Sequence, residues 1–239
     1  MTSLHTLSRS NSDAPLITNP VKGRVKMNGI AWLPMLAMLA ALSACSNLER
    51  SRDLANPDVP PAVTAMQVCS ICHGVDGNSV SPNFPRLAGQ TPGYIVAQLE
   101  IFRSHQRADP AGFEYMWGIS HHLSDNQING LAEYFARQVP KPNAPVDPQQ
   151  MAAGKVIFEN GVPDKQAAPC MACHGPKAQG MAAFPRLANQ HQDYLMKQLN
   201  VFQRTDERPG TPMTQIAHLL SPQEIQAVAG YLQAFPGEQ

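Results

Sequence analysis

Aromatic side chains make up only 6% of the 239 residues, thin filling for a chain of this length. Charge of either sign is also in short supply. Lys and Arg together number 18, Asp and Glu 18, and the formal balance is zero. Nothing here supplies the basic surface that nucleic-acid phosphates require. No apolar run reaches the ~20 residues of a membrane-spanning helix. The longest, Ile30 to Ala44 (IAWLPMLAMLAALSA), stops at 15 and carries Pro34. Cysteine is sparse as well, at five, and its placement carries most of the information.

Four of the five cysteines form two copies of one pattern, Cys69-Ser70-Ile71-Cys72-His73-Gly74 and Cys170-Met171-Ala172-Cys173-His174-Gly175. Cys-x-x-Cys-His is the haem-attachment signature. Residues i and i+3 of a helical turn share a face, so both thiols reach the vinyl groups along one haem edge. The next residue, histidine, then turns its ring to the iron as proximal ligand. A thioredoxin-like thiol pair or half a zinc site would use a single Cys-x-x-Cys, but two copies each followed by His-Gly favour haem. Two covalently bound haem c groups would also supply the apolar mass that the aromatics do not. No cysteine is left over for a disulfide, so the redox compartment has to be read from the leader.

Lys22, Arg24 and Lys26 precede the apolar run, which ends in small residues: a secretory signal, with Met27 a candidate start. Leu42-Ser43-Ala44-Cys45 resembles the lipobox of bacterial lipoproteins, in which the cysteine becomes the lipidated first residue of the mature chain. That resemblance implies a periplasmic protein anchored through Cys45. Ser46 favours the outer membrane by likeness to sorting patterns. Residues 1–45 hold four Lys/Arg and one Asp, so the remainder has 14 basic and 17 acidic residues, a net charge of −3. This suits a weakly acidic carrier that meets partners through a local patch.

The rest divides by composition. Residues 46–61 read as a tether, 62–139 as a first domain, 140–148 (four prolines) as a stiff linker, and 149–239 as a second domain that repeats the first. In domain one, Ala62–Met66 should be a short helix. Tyr94, Gln98, Leu99 and Phe102 mark an amphipathic helix, and Ser124-Asp125-Asn126-Gln127 is a capping box ahead of Ile128, Leu131, Ala132 and Phe135. Domain two answers with an opening helix from Gln149 to Phe158. It then has Tyr194, Gln198, Leu199 and Phe202, and the box Ser221-Pro222-Gln223-Glu224. Both copies carry a Phe-Pro-Arg-Leu-Ala loop, at 84–88 and 184–188. Pro85 and Pro185 there can offer a carbonyl to the proximal histidine, and Arg86 and Arg186 a cation to haem propionates.

What occupies the iron's sixth position separates electron transfer from chemistry. Superposing the repeats places Met116 over Met213, in loops bearing Gly and Pro; no other methionine recurs in place. Both are therefore assigned as axial ligands. His121 and His218 also match each other and are the rivals, expected as partly exposed residues, while His105, His122 and His191 have no counterpart and are expected at the surface. Methionine sulfur favours ferrous iron and closes the site to small ligands.

CxxCHG, the Pro-Arg-Leu-Ala loop, Tyr-x-x-x-Gln-Leu-x-x-Phe and a methionine before a Ser-capped last helix together resemble tandem class I cytochrome c domains of the di-haem cytochrome c4 family. The resemblance spans about residues 62–235. It implies an all-α fold, one haem per domain, and the ligand pairs His73/Met116 and His174/Met213. It also implies single-electron shuttling to a terminal oxidase, quinol-oxidising complex or periplasmic dehydrogenase, with no small-molecule substrate. Domain one lacks the Gly and aromatic residue usual in the opening helix, and Ala62 and Ala65 are expected at that helix crossing. A subunit of a dehydrogenase or reductase complex is the alternative, and a di-haem peroxidase a more distant one that the paired methionines oppose.

Overall fold

The computed structural model describes residues 52–204, 208 and 211–235. The leader and Cys45 lie outside them. Among the described residues the secondary structure is helical apart from two isolated antiparallel bridges, Val162–Ala167 and Met181–Phe184. None of these helices is long and apolar enough to cross a membrane.

Domain one opens with α1 (Pro61–Thr64), whose first residue is a proline that lacks the N–H a helix start leaves unpaired. The chain continues without a break through a π-turn (Ala65–Cys69) into α2 (Ser70–His73). After the Phe-Pro-Arg-Leu-Ala loop come α3 (Pro92–Arg103), a second π-turn (Gly112–Met116), α4 (Trp117–Ser120) and α5 (Asp125–Ala136). Domain two comprises α6 (Pro148–Asn160), α7 (Met171–His174), α8 (Gln192–Phe202), α9 (Met213–His218) and α10 (Pro222–Gln233). Both capping boxes form as the spacing predicts. The side chains of Ser124 and Ser221 accept from the third residue's N–H, and Gln127 and Glu224 reach back.

Each domain has its own core. Ala65, Ile95, Leu123, Ile128, Leu131, Ala132 and Phe135 fill the first. Phe158, Leu195, Val228, Tyr231, Leu232 and Phe235 dominate the second. The first and last helices cross at a point where main chains nearly touch, and the two domains make room for this differently. In domain two, α6 brings Gly154 to Ala227 of α10, where a Cβ would lie 2.2 Å from the Ala227 carbonyl oxygen. In domain one, the glycine sits on the last helix instead: a Cβ on Gly130 would lie 2.3 Å from Pro61 Cγ. Ala65 is buried as expected, but Ala62 is exposed. The helix starts one residue earlier than the sequence suggested, so Pro61, Thr64 and Ala65 form the inner face.

The segments on either side of domain one are held down as well. Leu54 packs against the first core and Val59 is buried, with Gln127 Nε2 donating to the carbonyl of Asn56 at 3.1 Å. The stretch just before Pro61 therefore lies on domain one although it has no periodicity. The proline-rich 140–148 stretch is strapped down. Asn78 Oδ1 accepts the Lys141 N–H at 2.9 Å, and Gln233 Nε2 donates to the Ala144 carbonyl at 3.3 Å.

Candidate functional site

The helical turn that carries Cys69, Cys72 and His73 ends at Gly74, with φ +80° and ψ 153°, and that carrying Cys170, Cys173 and His174 ends at Gly175, with φ +80° and ψ 156°. A side chain would strain either bend, which is the physical reason for the glycine after each histidine. The chain then folds back so that one carbonyl clasps the loop. Gly77 O accepts from Leu87 and Ala88 at 2.7 and 3.1 Å, and Ala178 O from Leu187 and Ala188 at 2.8 and 3.1 Å. That clasp fixes the proline ahead of each arginine. Pro85 O lies 2.8 Å from His73 Nδ1, and Pro185 O 2.9 Å from His174 Nδ1. Each imidazole thus donates from Nδ1 and keeps the lone pair on Nε2 for a metal. Burial holds both rings below their ordinary pKa, against the opposing pull of the proline carbonyls, so the neutral, ligating form is favoured. The edges of Phe84 and Phe184 stand against the two rings at 6.3 and 6.2 Å between centroids.

Burial pushes the Cys69 and Cys170 thiols up to about 11. A redox-active Cys-x-x-Cys needs the opposite, a lowered thiol pKa, so these cysteines do not suit thiol–disulfide exchange. Nor do the described residues contain a cluster of three His, Cys, Asp or Glu that could hold a metal ion by itself.

All eight predicted residues line one cavity of about 950 Å³: Cys69, Cys72, His73 and Met116 from domain one, Cys170, Cys173, His174 and Met213 from domain two. The methionines do not lie in loops. Met116 closes the second π-turn and Met213 opens α9, so each is aimed by a helical turn. The rival histidines, His121 and His218, are exposed and outside the lining. The cavity is large even for a cofactor pocket, ~300–1,000 Å³ being usual, as expected of a space shared by two planar groups. A further sign of fit is Arg86, which borders the cavity and whose Nε is buried without a partner in the protein. An acidic group from a bound cofactor would satisfy it. The remaining nitrogens of this guanidinium are already used by protein: Nη1 donates to the Lys141 and Asn189 carbonyls at 2.8 and 2.9 Å, and Nη2 to Asn78 Oδ1 at 3.0 Å.

Sequence reasoning missed the contacts between domains. Gln90 accepts the Arg186 N–H at 2.6 Å and donates to the Arg186 carbonyl at 3.0 Å. Gln190 does the same to Arg86, at 2.9 and 2.9 Å. The recurrence of Gln90 and Gln190 in the two repeats was the available signal. His191, expected at the surface, is buried, its Nε2 2.8 Å from the Ser79 carbonyl. Position alone hides this, because docking against domain one is what covers the ring. Arg107 and Asp109 form a buried ion pair with Nε–Oδ1 at 2.8 Å, beside Gln98, Gln198 and Arg208. Gln98 and Gln198 stand in the repeated Tyr-x-x-x-Gln-Leu-x-x-Phe motif, but no pattern marks Arg107, Asp109 or Arg208.

Two helical domains, each turning a Cys-x-x-Cys-His onto the wall of a shared cavity, define a tandem c-type cytochrome. The family model described as cytochrome c matches residues 62–138 and again 151–235. A cytochrome c-552 from Acidithiobacillus ferridurans is 37% identical over 77% of this chain and 80% of its own length. Cytochrome c4 of Azotobacter vinelandii is 38% identical over 70% of this chain and 83% of its own. A thiosulfate dehydrogenase electron acceptor of Stutzerimonas stutzeri is 36% identical over 70% and 78% respectively. Among solved structures, cytochrome c4 of Acidithiobacillus ferrooxidans superposes with a TM-score of 0.66 at 40% identity, covering 70% of this chain and 98% of that one. The chain belongs to the cytochrome c family, as a di-haem class I member of the cytochrome c4 type. It carries two covalently bound haem c groups and is an electron carrier rather than an enzyme.

Proposed function

We propose that the chain is a periplasmic carrier, tethered to a membrane through lipid on Cys45, that passes single electrons between respiratory partners. Its haem irons are held by His73 and Met116 in domain one and by His174 and Met213 in domain two. The observation that carries the ligand assignment is the convergence of both methionines and both Cys-x-x-Cys-His turns on one cavity wall, with His121 and His218 turned away. Haem supplies a one-electron couple, and methionine on iron raises its potential relative to a nitrogen ligand. The protein's part is to hold that couple still. Pro85 and Pro185 lock the imidazoles, the Phe84 and Phe184 edges wall them in, and the helical turns under Met116 and Met213 keep both sulfurs in place without rearrangement.

Among partners, a periplasmic dehydrogenase as electron donor is favoured over a terminal oxidase or quinol-oxidising complex as the sole partner. The likeness to an electron acceptor of thiosulfate dehydrogenase supports this. The test is the ferric spectrum of protein purified from detergent-solubilised membranes. Wild type shows the far-red sulfur-to-iron band from both haems, and Met116→Ala and Met213→Ala each remove one haem's share. Cys45→Ser moves the intact cytochrome to the soluble periplasmic fraction. A high-spin haem in the wild type, or hydrogen peroxide turnover, would overturn the carrier reading.

A further inference from the structure

Between the two haem sites lies a buried polar group whose arrangement is not symmetric. Arg107 is 3% exposed and Arg208 8%, and each guanidinium lies over a phenylalanine in the last turn of its domain's middle helix: Phe102 at 4.5 Å and Phe202 at 4.7 Å. Arg107 is well provided for. Asp109 takes its Nε and Nη2 at 2.8 and 3.1 Å, and Gln98 takes Nη1 at 2.6 Å. Arg208 has no carboxylate in hydrogen-bond reach among the described residues. The two meet on one atom, Oε1 of Gln198, which accepts from Arg107 Nη2 at 2.9 Å and from Arg208 Nη1 at 2.7 Å. The same amide donates from Nε2 to Asp109 at 3.3 Å.

Each arginine stands at the root of a methionine-bearing segment. The Arg107 carbonyl accepts from Trp117 Nε1 at 2.8 Å, directly after Met116, and that carbonyl also packs against Gly112 at the start of the same turn. The Arg208 carbonyl accepts from Thr214 Oγ1 at 3.5 Å, directly after Met213. Arg107, Gln198 and Arg208 all border the cavity.

We propose that Gln198 is a positioning residue for the distal side of both haem sites, its single amide oxygen tying the segment of Met116 to the segment of Met213 across the domain interface. The proposal rests on the ligand assignment above. A buried bond of this kind, made to charged donors, contributes more than a neutral one. Without it Arg208 keeps the Tyr94 hydroxyl as its side-chain partner among the described residues, whereas Arg107 keeps the Asp109 carboxylate and Gln98. The effect is therefore unequal, larger at domain two.

The test uses the full holoprotein and titrates imidazole against the sulfur-to-iron band of each haem, with Met116→Ala and Met213→Ala assigning the bands. In Gln198→Met, which keeps the length of the side chain and removes the hydrogen bonds, imidazole displaces sulfur at domain two at about tenfold lower concentration, in line with losses on removing outer-shell partners. The shift at domain one is smaller. Arg208→Lys, which loses the guanidinium fork, moves domain two alone and serves if Gln198→Met does not fold. Wild-type imidazole titrations in Gln198→Met and Arg208→Lys would overturn the proposal, as would an equal shift in a Gln98→Met control. If instead Met116→Ala and Met213→Ala leave both bands intact, it is the ligand assignment that fails.

Discussion

His191 is a residue whose surroundings decide what a proton does to the molecule. Its Nε2 donates to the Ser79 carbonyl of domain one, while Nδ1 receives from Asn143 Nδ2 at 3.2 Å. The Asn143 amide cannot turn over freely, because its Oδ1 already accepts the Ala144 N–H at 2.8 Å. A proton on Nδ1 would therefore face a donor. Burial pushes this imidazole below its ordinary 6.5; the Ser79 carbonyl opposes that, Arg86 adds to it and Asp193 opposes it. The unfolded ring takes up its proton near 6.5 and the folded one only at lower pH. Stability from this group is thus complete above 6.5 and declines as pH falls through the depressed folded value. Urea unfolding of the holoprotein between about pH 5 and 8 shows the slope, and His191→Gln flattens that part of it. If the two proteins respond identically to pH, the ring carries no such linkage. Repeat comparison could not reveal His191, since it credits only residues that both copies share, and this one serves the junction between the copies.

Helices show the same division between what pattern exposes and what packing adds. The last helix of each domain was legible because its serine cap and its three- and four-residue apolar spacing are local properties, and Ile128, Leu131, Ala132 and Phe135 all prove buried. The Pro85 and Pro185 carbonyls were legible too, given the chemistry a proximal histidine needs. The helical turns beneath Met116 and Met213 were not, since Gly112 and Pro212 read as loop formers and only tertiary contacts turn them into helix starts. The first crossing was misjudged for a related reason: a missing glycine in one helix can be supplied by its partner. That exchange has a measurable consequence. At Gly154 a new Cβ would meet main chain, the Ala227 carbonyl, whereas at Gly130 it would meet the ring of Pro61, the first residue of α1. Gly154→Ala is expected to cost about 1–3 kcal/mol, the usual range for overpacking, and Gly130→Ala less because a helix end shifts more readily than a helix middle. Thermal unfolding of the two variants gives the order, and a reversed order would show that α1 is held as firmly as α6.

At the scale of the whole molecule, docking and haem ligation share one strip of backbone. The peptide that offers Pro85 O to His73 continues into Arg86, whose N–H and carbonyl are both taken by Gln190, and Pro185 continues into Arg186, taken by Gln90. Gln90 and Gln190 are buried at 5% and 6% exposure, so removing them strands six main-chain groups at the interface: the N–H and carbonyl of Arg86 and of Arg186, and the N–H of Thr91 and of His191. Each stranded group costs about 1–3 kcal/mol unless water reaches it, and water reaches it most easily by parting the domains. The expected result for Gln90→Ala/Gln190→Ala is a pair of domains that keep their individual haem spectra, because the clasps on Gly77 and Ala178 are internal to each domain. Small-angle scattering then gives a larger radius of gyration, and electron exchange between the haems slows. Altered spectra with unchanged scattering would mean that the glutamines hold the proximal loops and not the interface. Unchanged scattering and exchange together would place the docking energy in the Arg107–Asp109–Gln198 group and the strapped 140–148 segment instead.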